Sequence, residues 1–113
     1  ALLGALALGD IGLHFPDTDN TYKNIDSKIL LERTMAIIRE NGYEVVNIDS
    51  TLCLEKPKIR PHVASMQQVI ARIVGLTEKD VSIKATTTEK LGFVGREEGL
   101  MANATVLLRR IDH

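Results

Sequence analysis

Tyr43-Glu44-Val45-Val46-Asn47-Ile48-Asp49-Ser50-Thr51-Leu52-Cys53-Leu54 reads as a strand. Val46, Ile48, Leu52 and Leu54 alternate on one face, interrupted by Ser50, as a half-buried strand requires. A short polar loop around Pro57 follows. Pro61 then suits the first turn of a helix, where a missing N–H costs nothing. Val63, Met66, Val69, Ile70, Ile73 and Val74 give that helix its apolar stripe, and Gly75 ends it. Upstream, Asp26 or Ser27 can cap a helix running to about Asn41. Leu30, Ile37 and Ile38 share one face of it with Thr34 between them, and Gly42 stands where a left-handed residue is wanted. Ala1 to Leu8 reads as a further helix that ends at Gly9. Downstream, Val81, Ile83 and Ala85 alternate as a short strand, and Ala102, Ala104, Val106 and Leu108 face one way in a last one. Helix, helix, strand, helix, strand, strand predicts an α+β fold: a two-layer sandwich with one β-sheet covered by helices.

The 113 residues suffice for a single domain spanning 1–113. A formal net charge of −1 speaks against a dedicated nucleic-acid or anionic-membrane binder, which carries a basic excess. It leaves room for a local anion site. Cys53 is the only cysteine, which fits a reducing, cytosol-like compartment. His14, His62 and His113 are scattered, whereas a structural zinc site needs several ligands at close spacing. The apolar start, Ala1 to Leu8, lacks the basic opening and longer run of a signal peptide and falls short of the ~20 residues of a membrane span. A charged terminus beside such side chains would be costly, so further chain upstream is expected.

Three loops carry the unusual polar residues, at 10–25, 54–60 and 86–99, and chemistry is expected there. Thr86-Thr87-Thr88-Glu89 directly follows a strand. Thr86-x-x-Glu89 reads as a capping box starting a short helix. It also reads as a phosphate and metal site, with hydroxyls donating to phosphate oxygens and one carboxylate holding a magnesium ion otherwise bound by phosphate and water. Leu54-Glu55-Lys56-Pro57-Lys58-Ile59-Arg60 is either a solvated basic loop or a nucleotide-base pocket with Lys58 approaching phosphate. Asp10-Ile11-Gly12 and Phe15-Pro16-Asp17-Thr18-Asp19, with Lys23 beyond, read as helix termination and Asx-turns or as a polyol-binding loop. This run lacks EF-hand ligand spacing. His14 reads as a packing or hydrogen-bonding residue, His62, just inside a helix, as structural, and His113 as a terminal residue outside the fold.

Four blocks, 5–12, 14–19, 55–58 and 84–93, follow one another at a spacing that closely resembles the 2-C-methyl-D-erythritol 2,4-cyclodiphosphate synthase family. The last, Lys84-Ala85-Thr86-Thr87-Thr88-Glu89-Lys90-Leu91-Gly92-Phe93, is the most specific. The resemblance covers essentially the whole chain. It implies a homotrimer with sites between subunits, and the non-mevalonate isoprenoid reaction. There, 4-diphosphocytidyl-2-C-methyl-D-erythritol 2-phosphate closes on itself to the 2,4-cyclodiphosphate and releases CMP. It implies a cytoplasmic enzyme in a bacterium, or a plastid one in a eukaryote, using a zinc ion and a second cation, magnesium or manganese. Asp10, Ile11 and Gly12 match the segment holding the methylerythritol phosphate, and Phe15, Pro16, Asp17, Thr18, Asp19 and Lys23 the adjoining substrate loop. Leu54, Glu55, Lys56, Pro57, Lys58, Ile59 and Arg60 match the cytidine pocket. Thr86, Thr87 and Thr88 match the phosphate-contacting block, Thr87 the catalytic transition-state stabiliser and Glu89 the ligand of the second metal. Phe93 and Arg96 match further substrate or cavity positions. The family's Asp-x-His pair and the following zinc ligands have no counterpart here. The chain is therefore expected to lack an N-terminal metal-binding segment and, alone, to be inactive. The competing expectation is a non-catalytic trimeric module binding a cytidine nucleotide or an isoprenoid diphosphate.

Overall fold

The structure, a computed structural model, describes residues 1–111, so His113 lies outside the described residues. Its elements are α1 (Leu2–Ala5), α2 (Ile11–His14), α3 (Ser27–Glu40), β1 (Tyr43–Cys53), α4 (Val63–Val74), β2 (Val81–Thr86), α5 (Gly92–Gly95) and β3 (Met101–Arg110). Single 3-10 turns at Arg60–His62 and Glu78–Asp80 bracket α4. The three strands form one sheet in the order β2-β1-β3, with β1 parallel to β2 and antiparallel to β3. Helix α3 packs on β1, α4 on β2 and α1 on β3. This is the expected α+β two-layer arrangement.

The core joins Leu2, Met35, Ile38, Val45 and Val74. Met35 and Ile38 are almost fully buried, whereas Leu30 and Ile37 are only half-buried. The apolar face of α3 is thus rotated from the predicted one towards Met35. Asp26 caps this helix, its carboxylate accepting from the Lys28 N–H at 2.9 Å. Gly75 closes α4 in the left-handed region, φ 82°, where a side chain would be strained.

Two further expectations need correction. The first helix spans only Leu2–Ala5, not Ala1 to Leu8, because Ala7 and Gly9 turn left-handed and break the hydrogen-bond ladder. In β1, Val45 rather than Val46 enters the core with Ile48, because the register with β3 shifts between Val45 and Asn47. One inserted residue reverses the facing of a strand with period two. Ala85, Ala102 and Ala104 alternate as predicted, and all three are exposed.

Among the described residues no helix is long and apolar enough to cross a membrane. Ile38, with no exposed surface, anchors α3. Ile38→Ala is expected to lower unfolding free energy by about 2–5 kcal/mol. A urea titration checks this, with a lower midpoint and an unchanged slope as the expected result.

Candidate functional site

Parallel pairing sends the loops after β1 and β2 out of the same end of the sheet. Cys53 is level with Thr86, and the Leu54 N–H donates to the Thr86 carbonyl at 3.0 Å. β3 runs the other way, so its first residue, Met101, lies at this end too. The loops enclose an open cleft of about 580 Å³. Leu54, Glu55, Pro57, Lys58, Ile59 and Arg60 form one wall, and Ala85, Thr86 and Thr87 the other. Buried Leu54 and Ile59 anchor the first wall, and the Lys56–Pro57 peptide is cis.

The three threonines differ in what their hydroxyls have left to offer. Thr86 Oγ1 donates to the Thr87 carbonyl at 3.2 Å, and Thr88 Oγ1 to the Leu91 carbonyl at 2.7 Å. Thr87 Oγ1 instead accepts from the Glu89 N–H at 3.2 Å. Its own proton has no protein acceptor among the described residues. A hydroxyl that accepts one bond is a better donor for the next. Thr87 therefore presents the uncommitted donor on the cleft wall.

The capping-box reading of Thr86-x-x-Glu89 is not realised. Glu89 and Lys90 are left-handed, with φ of 55° and 63°, and the next helix, α5, starts at Gly92 with no side-chain cap. The turn is held from outside. Glu55 Oε1 lies 3.3 Å from the Thr88 N–H nitrogen and 3.2 Å from that of Lys90. Gly95 packs against the Lys90 backbone so closely that a Cβ there would collide with it. The Glu89 carboxylate is exposed and makes no hydrogen bond or ion pair among the described residues. Such a carboxylate suits a divalent cation otherwise held by phosphate and water.

Other sequence-singled residues lie outside this cleft. Thr88 and Phe93 line a smaller hollow of about 240 Å³ with Cys53, Leu91 and Met101. Arg96 pairs with Glu98 at 2.6 Å, and Lys56 with Glu97 at 3.6 Å. None of Asp10, Ile11, Gly12, Phe15, Pro16, Asp17, Thr18, Asp19 or Lys23 lines it. In that segment Asp10 caps α2, accepting from the Leu13 N–H at 2.9 Å. Asp19 accepts from the Thr21 N–H at 2.9 Å, and that bond, then the Thr21 side chain, holds its carboxyl below the usual range. Phe15 is buried edge-on against Tyr22, on which Arg33 lies 5.6 Å from the ring centre. His14 Nε2 is 2.8 Å from the Leu8 carbonyl, a packing role. His62 stands exposed before α4.

Among the described residues no three His, Cys, Asp or Glu side chains converge. The residues present therefore do not form a zinc site. Sequence reasoning missed Pro61 and Ala85 as cleft residues. Pro61 registered only as a helix start and Ala85 only as a strand residue. The available signal was Ala85 itself, a small side chain ending a strand just before three hydroxyls.

The family model described as YgbB matches residues 1–109. A 2-C-methyl-D-erythritol 2,4-cyclodiphosphate synthase of Bacteroides fragilis is 60% identical over 111 residues, covering 98% of this chain and 70% of that protein. The enzyme of the same name from Parabacteroides distasonis is 59% identical, covering 98% and 69%. Among solved structures, the bifunctional IspDF of Campylobacter jejuni superposes with a TM-score of 0.94 at 45% identity, covering 99% of this chain and 30% of that one. Plasmodium falciparum IspF, solved as a CDP complex, superposes with a TM-score of 0.85 at 29% identity, covering 98% and 66%. Sequence match and superposition agree along nearly the whole chain, which belongs to the YgbB family.

Proposed function

We propose that this protein is a 2-C-methyl-D-erythritol 2,4-cyclodiphosphate synthase, a phosphorus–oxygen lyase of the non-mevalonate isoprenoid pathway. The observation that carries the reading is the cleft in which the Leu54–Arg60 loop faces the free hydroxyl of Thr87. The substrate is 4-diphosphocytidyl-2-C-methyl-D-erythritol 2-phosphate. An oxygen of its 2-phosphate forms a bond to the β-phosphorus, the bond from that phosphorus to the α,β-bridging oxygen breaks, and CMP leaves with the electron pair. Such transfer is mostly positioning and charge stabilisation.

Each residue has a role in this reading. Backbone groups of Leu54–Arg60 read the cytosine edge, with Glu55 and Lys56 at the loop's turn and Pro57, Ile59 and Leu54 shaping it. Lys58 brings a cation to the phosphates. Thr86 and Thr88 stiffen the facing loop, and Thr87 donates to the oxygens that gain charge in transit. Glu89 holds magnesium or manganese, which when bound offsets phosphate repulsion. Asp10, Ile11, Gly12, Phe15, Pro16, Asp17, Thr18, Asp19 and Lys23 hold the methylerythritol part, and Phe93 and Arg96 sit near a shared cavity. Among the described residues, the side chains present do not fit zinc.

The first segment and the cleft would meet across a subunit boundary, in a homotrimer. Supporting this, the chain exposes 7907 Å², against about 6,200 Å² for a folded monomer of its mass. Its radius of gyration is 15.4 Å, against about 13 Å for a compact chain of its length. Leu91, Leu100, Met101 and Leu107 are exposed apolar side chains. That surface calls for other polypeptide to cover it, and we read the cover as copies of this chain. Light scattering is expected to give about three times the 12.5 kDa chain mass. A monomer at micromolar concentration would refute the assembly.

The base pocket predicts selectivity. Cytosine carries an exocyclic amine donor where uracil carries an acceptor, and an unmet polar group in a desolvated pocket is costly. CMP is expected to bind at least about tenfold more tightly than UMP by calorimetry. Equal affinities would count against the pocket.

Glu89→Gln keeps the side chain's shape but loses the charge. Magnesium-dependent CMP release is expected to fall on the order of 10²-fold, while the melting temperature moves by less than about 4 °C. A variant that unfolds would make Glu89 structural, and a folded one whose CMP release keeps the unsubstituted protein's magnesium dependence would remove it as the cation's ligand.

A further inference from the structure

We propose that Glu55 is a positioning residue, an internal clamp that sets the phosphate loop from the base loop. The inference rests on the function proposed above and deepens it by assigning Glu55 a task other than touching ligand. Glu55 leaves the end of β1, and Oε1 takes in two backbone N–H groups of the opposite loop, those of Thr88 at 3.3 Å and Lys90 at 3.2 Å. The Thr88 hydroxyl is 3.4 Å from the same oxygen, but its proton goes to the nearer Leu91 carbonyl. Three groups crowd one oxygen, which keeps each distance long. The two amides flank Glu89. Holding both fixes the left-handed pair Glu89–Lys90, conformations that are strained without such support.

The turn so fixed returns the Glu89 N–H to Thr87 Oγ1 at 3.2 Å. Glu55 therefore acts on two functional groups at once. It keeps the Thr87 hydroxyl accepting from the backbone, with its proton free for a ligand, and it keeps the Glu89 carboxylate pointing away from the protein. Its own negative charge is drawn towards these amides, an arrangement that lets a carboxylate stand on the wall of an anion-binding cleft. The base loop and the phosphate loop are then one mechanical unit. A nucleotide whose base enters one loop therefore meets phosphate-facing groups that the other loop already holds in place.

The test is a pair of substitutions read in two ways. Glu55→Ala removes the acceptor, and CMP affinity is expected to fall about tenfold or more, the order of a lost charge-assisted hydrogen bond. Glu55→Gln keeps a carbonyl oxygen at the same reach and is expected to rescue binding to within about threefold of the unsubstituted protein. The second reading needs no ligand. In the unsubstituted protein, hydrogen exchange at the Thr88 and Lys90 amides is expected to be slowed, and Glu55→Ala is expected to release both. Exchange in the unsubstituted protein remains decisive where Glu55→Ala fails to fold. Unprotected Thr88 and Lys90 amides, alanine binding CMP like the unsubstituted protein, or glutamine binding as poorly as alanine would each overturn the proposal. Protected amides in a protein that binds no CMP would instead leave the clamp standing and sink the proposed function.

Discussion

The parallel pairing of β1 with β2 is the constraint on which the site depends. A parallel pair aligns the two C-terminal ends, so the chain leaves Cys53 and Thr86 side by side. The Leu54 N–H to Thr86 carbonyl bond extends that pairing one step into the loops. An antiparallel pair would have put them at opposite ends of the sheet. The crossover that makes the pairing parallel is α4, whose burial of Ala71 and Val74 seats it on the sheet. Core packing beneath α4 therefore sets the distance between the base loop and Thr87.

Above the last paired residues, backbone geometry gives way to side-chain hydrogen bonds. Glu55, Thr87 and Thr88 hold a turn whose local conformation is unfavourable, and Gly95 leaves room for its backbone. Left-handed residues cost stability unless their surroundings determine them, and they concentrate where a chain must present particular groups. Here they orient Glu89 outward and leave one hydroxyl proton unspent. On the sheet's polar side, ion pairs such as Lys84–Asp49 at 3.0 Å keep Asp49 below the usual carboxylate range, through the Lys84 side chain first and Ser82 next. These exposed pairs contribute little to the fold.

Much of this was legible in the sequence, and what was not has identifiable physical causes. The order of elements followed from periodicity and from Gly75, Pro61 and Asp26. Val46 was misassigned because a register shift in β1 depends on the pairing with β3, which a single strand's pattern does not encode. Met35 escaped because the face of α3 that becomes buried depends on the tilt of its neighbours. The cytidine and phosphate loops were each visible as unusual local chemistry. Their joining was not, since it requires knowing that β1 and β2 are parallel. The Thr86-x-x-Glu89 pattern fits a capping box equally well in sequence, and the bond from Glu55, thirty-odd residues away, decides against it. The two segments at 10–23 and 54–60 both looked functional, yet one chain keeps them apart.

The central claim is that a cytidine nucleotide sits between the Leu54–Arg60 loop and Thr87. A crystal structure of the protein grown with CMP tests it most directly. The account predicts the base against the backbone of Leu54–Arg60, with the phosphate within hydrogen-bond reach, about 2.7–3.2 Å, of Thr87 Oγ1. CMP bound at another surface, or an empty cleft at saturating CMP, would contradict it.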